Sequence, residues 1–386
     1  MPIHYLRTAQ KDAVSGTALL RLDFNTEDDW RMRAVLPTIK FLLKNGCKIV
    51  IVSHKGRPEG VMLVNGVPKN VKKGLSLRPN AVHLTKLLGR RAIAGGSVRF
   101  VNHFRFTDIR HEVADAPARS VFLLDNLRFL PGEEKNDRAL AKQLASLGTF
   151  YVNDAFAVCH RSNASVDAVT TFLPSYAGFE LEQEIVSLGK AMVDPKHPLA
   201  LILGGAKAAD KLGVIKFFAK KADTILLGGG SANTVLALRG VDVKKSMRDK
   251  DPKSVAEIKR IVSATSTARK ISVPVDFVWK DDAILDLGPK TAAAFAKKIA
   301  AARTIVWSGP LGLIEKKRYA KGTISIVKDI IGNRKAFRVA GGGETVMFLK
   351  KYGFDSRFDF VSTGGGAMID YLAGQKLPGI EVLKRR

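Results

Sequence analysis

The sequence predicts an α/β protein with two doubly wound parallel-sheet domains in series, joined by a hinge. Three observations carry this. Short β-branched apolar runs recur along the chain, each ending in a polar or glycine-rich turn and usually followed by a helical pattern. The runs are apolar throughout rather than alternating, as strands covered on both faces are. The length, 386 residues, exceeds one ordinary domain and suits two.

In the first half the runs are ALLRLDFN (18–25), CKIVIVSH (47–54), SVRFVN (97–102), SVFLLDN (120–126) and TFYVNDAF (149–156), with helical patterns over 33–45 and 78–88. In the second half they are LALILGG (199–205), TILLGGG (224–230), TIVWSGP (304–310), AFRVAGGG (336–343) and FDFVSTGGG (358–366). Helical patterns follow at 210–220, 233–238, 291–302, 345–351 and 367–373. Pro174 and Gly178, then a helical pattern over 182–188, mark the junction, and the boundary is placed between 175 and 176.

Composition narrows the class. The chain is 46% hydrophobic and 26% charged, which supports a full core. Two cysteines, Cys47 and Cys159, build no disulfide framework. No apolar run is long enough to span a bilayer, and residues 1–11 lack the apolar core of a secretory signal. A membrane protein, a disulfide-stapled module and a coiled coil are thereby set aside, and a cytoplasmic protein is expected. The net charge of +27 favours anionic partners. Residues 1–177 carry 26 Lys and Arg against 15 Asp and Glu, and the remainder 37 against 21, so the charge forms no basic arm. A solvated basic surface and incidental RNA or membrane-surface association both fit it.

In open parallel sheets ligands sit at the carboxyl ends of the strands. In the first half those ends carry Arg21, Asp23, Asn25, His54, Arg57, Arg128, His160 and Arg161, with Arg31 shortly after the first strand. Guanidinium forks match carboxylate and phosphate, so the set predicts a pocket for a small, highly anionic molecule, although each arginine singly also fits a solvated surface. In the second half the ends carry glycine: GG at 204–205 and GGG at 228–230, 341–343 and 364–366, each before a helical pattern. Glycine lets the backbone approach a ligand, and a helix start presents free N–H groups to phosphate, so a nucleotide is expected there; tight strand–helix packing explains any one of these turns equally well. Neither GxxxxGK[ST] nor GxGxxG is present, which counts against a P-loop enzyme and a dinucleotide dehydrogenase. Lys207 and Lys211, four apart, are expected on one face of a helix start, holding an anion or simply exposed. Glu344 follows a glycine turn, where a carboxylate serves either a magnesium ion or the helix dipole. A basic pocket facing a nucleotide site across a two-domain cleft suits phosphoryl transfer.

At these residues the chain resembles the phosphoglycerate kinases, nearly end to end. The resemblance is carried by LLRLDFN, IVIVSHKGRPEG, LDNLRFLPGEEKND, YVNDAFAVCHRSNAS, LILGGAKAADKLGVI, LLGGGSANT, LDLGPKT, VWSGPLGLIE, GGGET and STGGGA. It implies two Rossmann-like domains, residues 1–175 for 3-phosphoglycerate and 176–370 for the nucleotide, with 371–386 packing back on the first. It implies reversible transfer between 1,3-bisphosphoglycerate and MgADP, giving 3-phosphoglycerate and MgATP, after hinge closure. By the same resemblance, Asp23, Asn25, Arg31, His54, Arg57, Arg128 and Arg161 hold the acid. Arg31, Lys207, Gly342 and Gly365 serve the transfer, with Gly364 beside its path. Gly205, Lys207, Lys211, Gly229, Gly312, Glu315, Gly342, Gly343, Glu344 and Thr345 hold the nucleotide, and Glu344 the Mg2+. A cytoplasmic monomer with no membrane and no specific nucleic-acid partner is implied. Five departures from the family pattern fall in the nucleotide half: Glu344 for Asp, Ser308 for Asn, Ser231 for an apolar residue, Met368 for Ser, and a segment 273–285 that is shorter than expected and lacks the usual hairpin. Glu344, Ser308 and the high charge motivate the competing reading, a noncatalytic phosphate- or RNA-binding relative.

Overall fold

The computed structural model describes residues 2–384. The chain divides into two compact units, residues 1–184 with 376–386, and residues 185–375. The division falls inside the connecting helix Phe179–Met192 rather than in the turn before it, and the returning segment begins at Lys376 rather than at 371. The last two residues of that segment lie outside the described residues.

The first unit carries β1 (Thr17–Arg21), β2 (Lys48–Val52), β3 (Met62–Val64), β4 (Val67–Lys69), β5 (Arg99–Val101), β6 (Val121–Leu124), β7 (Phe150–Asn153) and β8 (Ser175–Ala177). Six of these form a parallel sheet in the order β5-β6-β2-β1-β7-β8, and β3 and β4 form a separate antiparallel hairpin. Because successive side chains point to opposite faces, Ala18, Leu20, Ile49 and Ile51 enter one core, and Leu19, Val50, Val52 and Tyr151 the other. This double burial is why the strands read as unbroken apolar runs. The helical pattern over 33–45 is two helices, Trp30–Ala34 and Leu36–Lys44. Pro37 lacks the N–H that would continue one helix through Val35. The returning segment is tied in by His4 N–H to Leu383 O (3.1 Å) and Gly379 N–H to Cys159 O (2.9 Å).

The second unit carries β9 (Leu199–Leu203), β10 (Thr224–Leu227), β11 (Ile271–Ser272), β12 (Phe277–Lys280), β13 (Ala283–Leu287), β14 (Thr304–Ser308), β15 (Phe337–Gly341) and β16 (Phe360–Val361). Its parallel sheet runs β11-β10-β9-β14-β15-β16. The hairpin that 273–285 was expected to lack is present: β12 and β13 pair antiparallel. Asp281 and Asp282, at φ 51° and 63°, close it in a two-residue turn. Two aspartates in the left-handed region are a weaker turn signal than Asn-Gly, and this is why the hairpin escapes a sequence reading.

The start of the connecting helix is pinned to the first unit. Leu181 N–H donates to Asp154 Oδ1 (3.0 Å) and Phe179 N–H to Thr38 Oγ1 (3.0 Å). Burial pushes the Asp154 carboxyl up to about 7, against the hydrogen bonds from Thr38 and the helix start. Below about pH 4 this group is neutral folded and unfolded. As pH rises from about 4 to about 7 the unfolded chain ionises first, so stability falls through that window and is level above it. Asp154→Asn is therefore expected to be more stable than the parent at pH 8, by on the order of 2–4 kcal/mol, with the gain gone at pH 4. Urea unfolding at both pH values checks this; an offset equal at both would contradict it.

Candidate active site

The strand ends of the first unit gather a cationic cluster. Asp23 lies just past β1 and is buried; its Oδ1 accepts from Asn25 N–H (2.8 Å) and its Oδ2 from Arg31 Nη1 (2.7 Å). Burial alone would raise the Asp23 carboxyl, but His54, Arg31, the Asn25 N–H and Arg21 outweigh it and hold the carboxyl below its ordinary value. Asn25 Oδ1 accepts from Gly56 N–H (2.8 Å), joining the β1 end to the loop after β2.

His54 lies two residues past that strand and is buried. Burial drives its pKa down to about 3 despite Asp23, and Arg21, Arg128 and Arg161 add to the fall. The ring is therefore neutral at pH 7. Arg21 Nη2 lies 3.2 Å from Nδ1, which makes Nδ1 the acceptor and leaves Nε2 as an N–H donor for a ligand. Arg128 Nη1 donates to Gly56 O, and its Nη2 pairs with Glu134 Oε1 at 3.1 Å. Burial, with Arg161, Arg21 and Arg57, lowers the Arg128 pKa against the pull of Glu134. Arg57 is exposed, and Arg161 is half-buried with its Nε 3.2 Å from His160 Nε2. The seven acid-site residues expected from sequence thus lie in one unit. The Arg21, Arg57 and Arg161 guanidiniums each lower the Arg128 pKa, so like charges crowd Arg128 within that unit. An anion neutralises that repulsion; this is what the arrangement can do chemically.

One organising residue escaped the sequence reading, and another was given a different place by it. Asn126 accepts from Lys55 N–H and Arg128 N–H (3.1 Å each) and donates to Lys55 O (2.6 Å) and Leu75 O (3.0 Å), so one buried amide shapes the His54–Arg57 loop. Arg21, read as a strand-end arginine of the pocket, is turned inward and 1% exposed, with Nε donating to Ser165 Oγ (2.9 Å). Its place in a buried strand signalled this.

In the second unit a cavity of about 430 Å³ opens at the strand ends. Gly205, Gly229 and Glu344 line one part of its wall, Gly312 and Glu315 another, and apolar Leu313 a third. The largely apolar wall suits an apolar plate, and the Glu315 and Glu344 carboxylates offer acceptors to hydroxyls or a cation. A Cβ on Gly229 would stand 2.8 Å from Gly205 O, so only glycine allows these two turns to meet. Gly342, at φ 98°, caps the helix Gly343–Lys351, whose first N–H groups are free to face an anion. Thr345 is buried, its hydroxyl accepting from Gly309 N–H (2.7 Å). Gly365 caps the short helix Gly366–Leu372, and Gly364 N–H donates to Ser362 Oγ (3.1 Å). Gly342, Gly343, Thr345, Gly364 and Gly365 do not line the cavity itself.

The lysine pair departs from its expected geometry. Gly205, at φ 90°, turns the chain, and 209–211 is a single 3-10 turn before the helix Leu212–Phe218. At three residues per turn, positions four apart do not share a face. Lys207 is exposed, whereas Lys211 folds inward with Nζ 3.1 Å from Ser308 Oγ. Burial lowers the Lys211 pKa, with Asp210 and Glu344 opposing. Ser308 is thus the acceptor that holds Lys211. Met368 is buried against Gly341, where its sulfur fills the space a Cβ would need. Ser231 is buried with its hydroxyl unpartnered, and nothing in the structure explains the choice of serine. No group of three or more His, Cys, Asp or Glu that would hold a metal occurs among the described residues.

The comparisons with known proteins agree with this fold. The family model described as phosphoglycerate kinase matches residues 11–375. The phosphoglycerate kinase of Moorella thermoacetica is 39% identical over 95% of this chain and 96% of its own. That of Dictyoglomus turgidum is 37% identical over 97% of each. Among solved structures, phosphoglycerate kinase from Coxiella burnetii superposes with a TM-score of 0.81 at 28% identity, over 99% of both chains. That from Pyrococcus horikoshii OT3 superposes with 0.83 at 29%, over 99% of this chain and 98% of its own. With the family model spanning nearly the whole chain and relatives of this similarity at full length, the chain belongs to the phosphoglycerate kinase family.

Proposed function

We propose that this phosphoglycerate kinase binds the phosphoglycerate acid on its first unit and the nucleotide on its second, and moves the phosphoryl group directly between them. The observation that carries the reading is the cationic cluster of the first unit, where His54, Arg57, Arg128 and Arg161 converge and Arg31 is held by Asp23. His54 donates from Nε2 to the acid. Arg128 and Arg161 offer forked N–H groups to its phosphate, and Asp23 and Asn25 take its hydroxyl and carboxylate end. Arg31 reaches the carboxyl being phosphorylated. In the second unit, the Gly205 and Gly229 turns admit the nucleotide backbone-first, with Gly312 and Glu315 at the ribose. The helix start at Gly343–Thr345 and Lys211 take the phosphates, and exposed Lys207 is available to the group in transfer. Gly342 and Gly365 leave its path open.

Magnesium fits this site: the ion commonly uses one or two carboxylates and completes its shell with phosphate oxygens and water, and Glu344 is one exposed carboxylate beside the Gly205 turn. When bound, it neutralises phosphate charge. Glu344→Gln is expected to raise the magnesium concentration for half-maximal rate about tenfold, with turnover largely restored at saturation. An unchanged magnesium requirement removes Glu344 from that role.

Each pocket is built within one unit, which supports action as a monomer. Both cysteines are free and buried, which supports a reducing, cytoplasmic setting. A coupled assay of 3-phosphoglycerate-dependent ATP turnover tests the whole reading. Robust turnover is expected; its absence with magnesium and both substrates at saturation would return the chain to the binding-only reading.

A further inference from the structure

The β3–β4 hairpin takes no part in either pocket, yet it is built in an unusual way. Met62, Leu63 and Val64 are 58%, 37% and 50% exposed, three consecutive apolar side chains on one short strand. Side chains alternate across a strand, so Met62 and Val64 stand on one face and Leu63 on the other. Both faces are therefore open. The hairpin cannot fold down to hide them: its turn, Asn65–Gly66 with φ 50° and 74°, is fastened by Phe104 N–H to Gly66 O (2.7 Å). Strand β3 pairs only with β4, leaving its outer edge open. The surroundings are cationic. Residues 55–78 hold Lys55, Arg57, Lys69, Lys72, Lys73 and Arg78 against the single acid Glu59. Lys69 stands directly across from Met62, and Lys69, Lys72 and Lys73 are exposed.

We propose that this hairpin is a peripheral docking site for an anionic lipid surface. Met62, Leu63 and Val64 enter the boundary between headgroups and acyl chains, and Lys69, Lys72 and Lys73 pair with headgroup phosphates. A second copy of the chain is decided against because each copy brings the same lysine-rich stretch and a net charge of +27, and pairing of two β3 edges would satisfy the edge while leaving both faces open. The two open faces decide against an added peptide strand, which would satisfy the β3 edge and cover neither face. A lipid boundary reaches both. No described helix is long and apolar enough to cross a membrane, so the contact is one of surface only.

The test is co-sedimentation of the full chain with phosphatidylcholine vesicles, with and without phosphatidylserine. Binding is expected only with phosphatidylserine. Combined M62S, L63S and V64S substitutions keep the charge and are expected to weaken binding at least tenfold. K69Q, K72Q and K73Q are each expected to weaken it about fivefold. All these variants should retain 3-phosphoglycerate-dependent turnover, which shows that they fold. Absence of wild-type binding overturns the proposal. So does a triple serine variant that binds like wild type, because diffuse charge then suffices. Binding abolished by ribonuclease, or a dimer lost in the serine variant, assigns the surface to RNA or to a second copy and overturns it equally.

Discussion

Replacing Arg31 with alanine is expected to lower turnover by about 10²–10³ while changing affinity for 3-phosphoglycerate far less. The geometry behind this is a guanidinium held at one edge and open at the other. Nη1 donates to Asp23 Oδ2 at 2.7 Å, and the group lies 5.2 Å over the Trp30 ring. Nε is buried without a partner. The remaining N–H groups are thus aimed rather than mobile, and charge developing on the group in transfer is stabilised with little reorganisation. Arg31→Lys keeps the charge and loses the fork, so it should recover only part of the rate. Steady-state kinetics in both substrates decide. A raised KM for the acid with turnover intact would make Arg31 a binding residue only.

The second large effect is on stability. Arg21 and Glu133 are at most 1% exposed, with Arg21 Nη2 4.0 Å from Glu133 Oε1. Glu133 also accepts from Ser165 N–H (3.0 Å), Ser165 Oγ (2.6 Å) and Asn163 Nδ2 (3.4 Å). Arg21→Met leaves that carboxylate buried without its cation, and a loss of about 3–5 kcal/mol is expected. Adding Glu133→Gln removes the stranded charge, so the double variant should recover more than half of the loss. Denaturant titrations of the parent, both single variants and the double variant measure this. Strictly additive losses would contradict the pairing. Arg21→Met also takes the donor from His54 Nδ1, so a weakened grip on the acid should accompany the loss of stability.

What was legible in the sequence follows from what a strand shows. β1, β2, β6, β7, β9, β10, β14 and β15 are buried on both faces, so their apolar runs stand out, and their last residues mark the ends where ligands gather. Asp23, His54 and Arg128 could be gathered from three separate runs for that reason. Orientation was less legible. The buried strand signalled that Arg21 turns inward, but LLRLDFN names neither its partner Ser165 nor the reach of Arg31 back to Asp23. The i, i+4 reading of Lys207 and Lys211 failed because the Gly205 turn and the 3-10 geometry after it replaced the helix it assumed. The organising amide Asn126 was invisible because its importance lies in long-range bonds to Lys55 and Leu75. Both small hairpins were missed as well, since their strands are largely exposed or half-buried and lack the unbroken apolar run that marks the buried ones.

The central claim is a division of labour, acid on the first unit and nucleotide on the second. Its most direct test is an amide-resolved NMR titration of the whole chain with each substrate alone. 3-Phosphoglycerate should shift the signals of Gly56, Arg57 and Arg161, and ADP those of Gly205, Gly229, Gly312 and Thr345. If the acid instead moves the glycine turns and leaves Gly56 and Arg161 unchanged, the assignment of the two pockets is wrong.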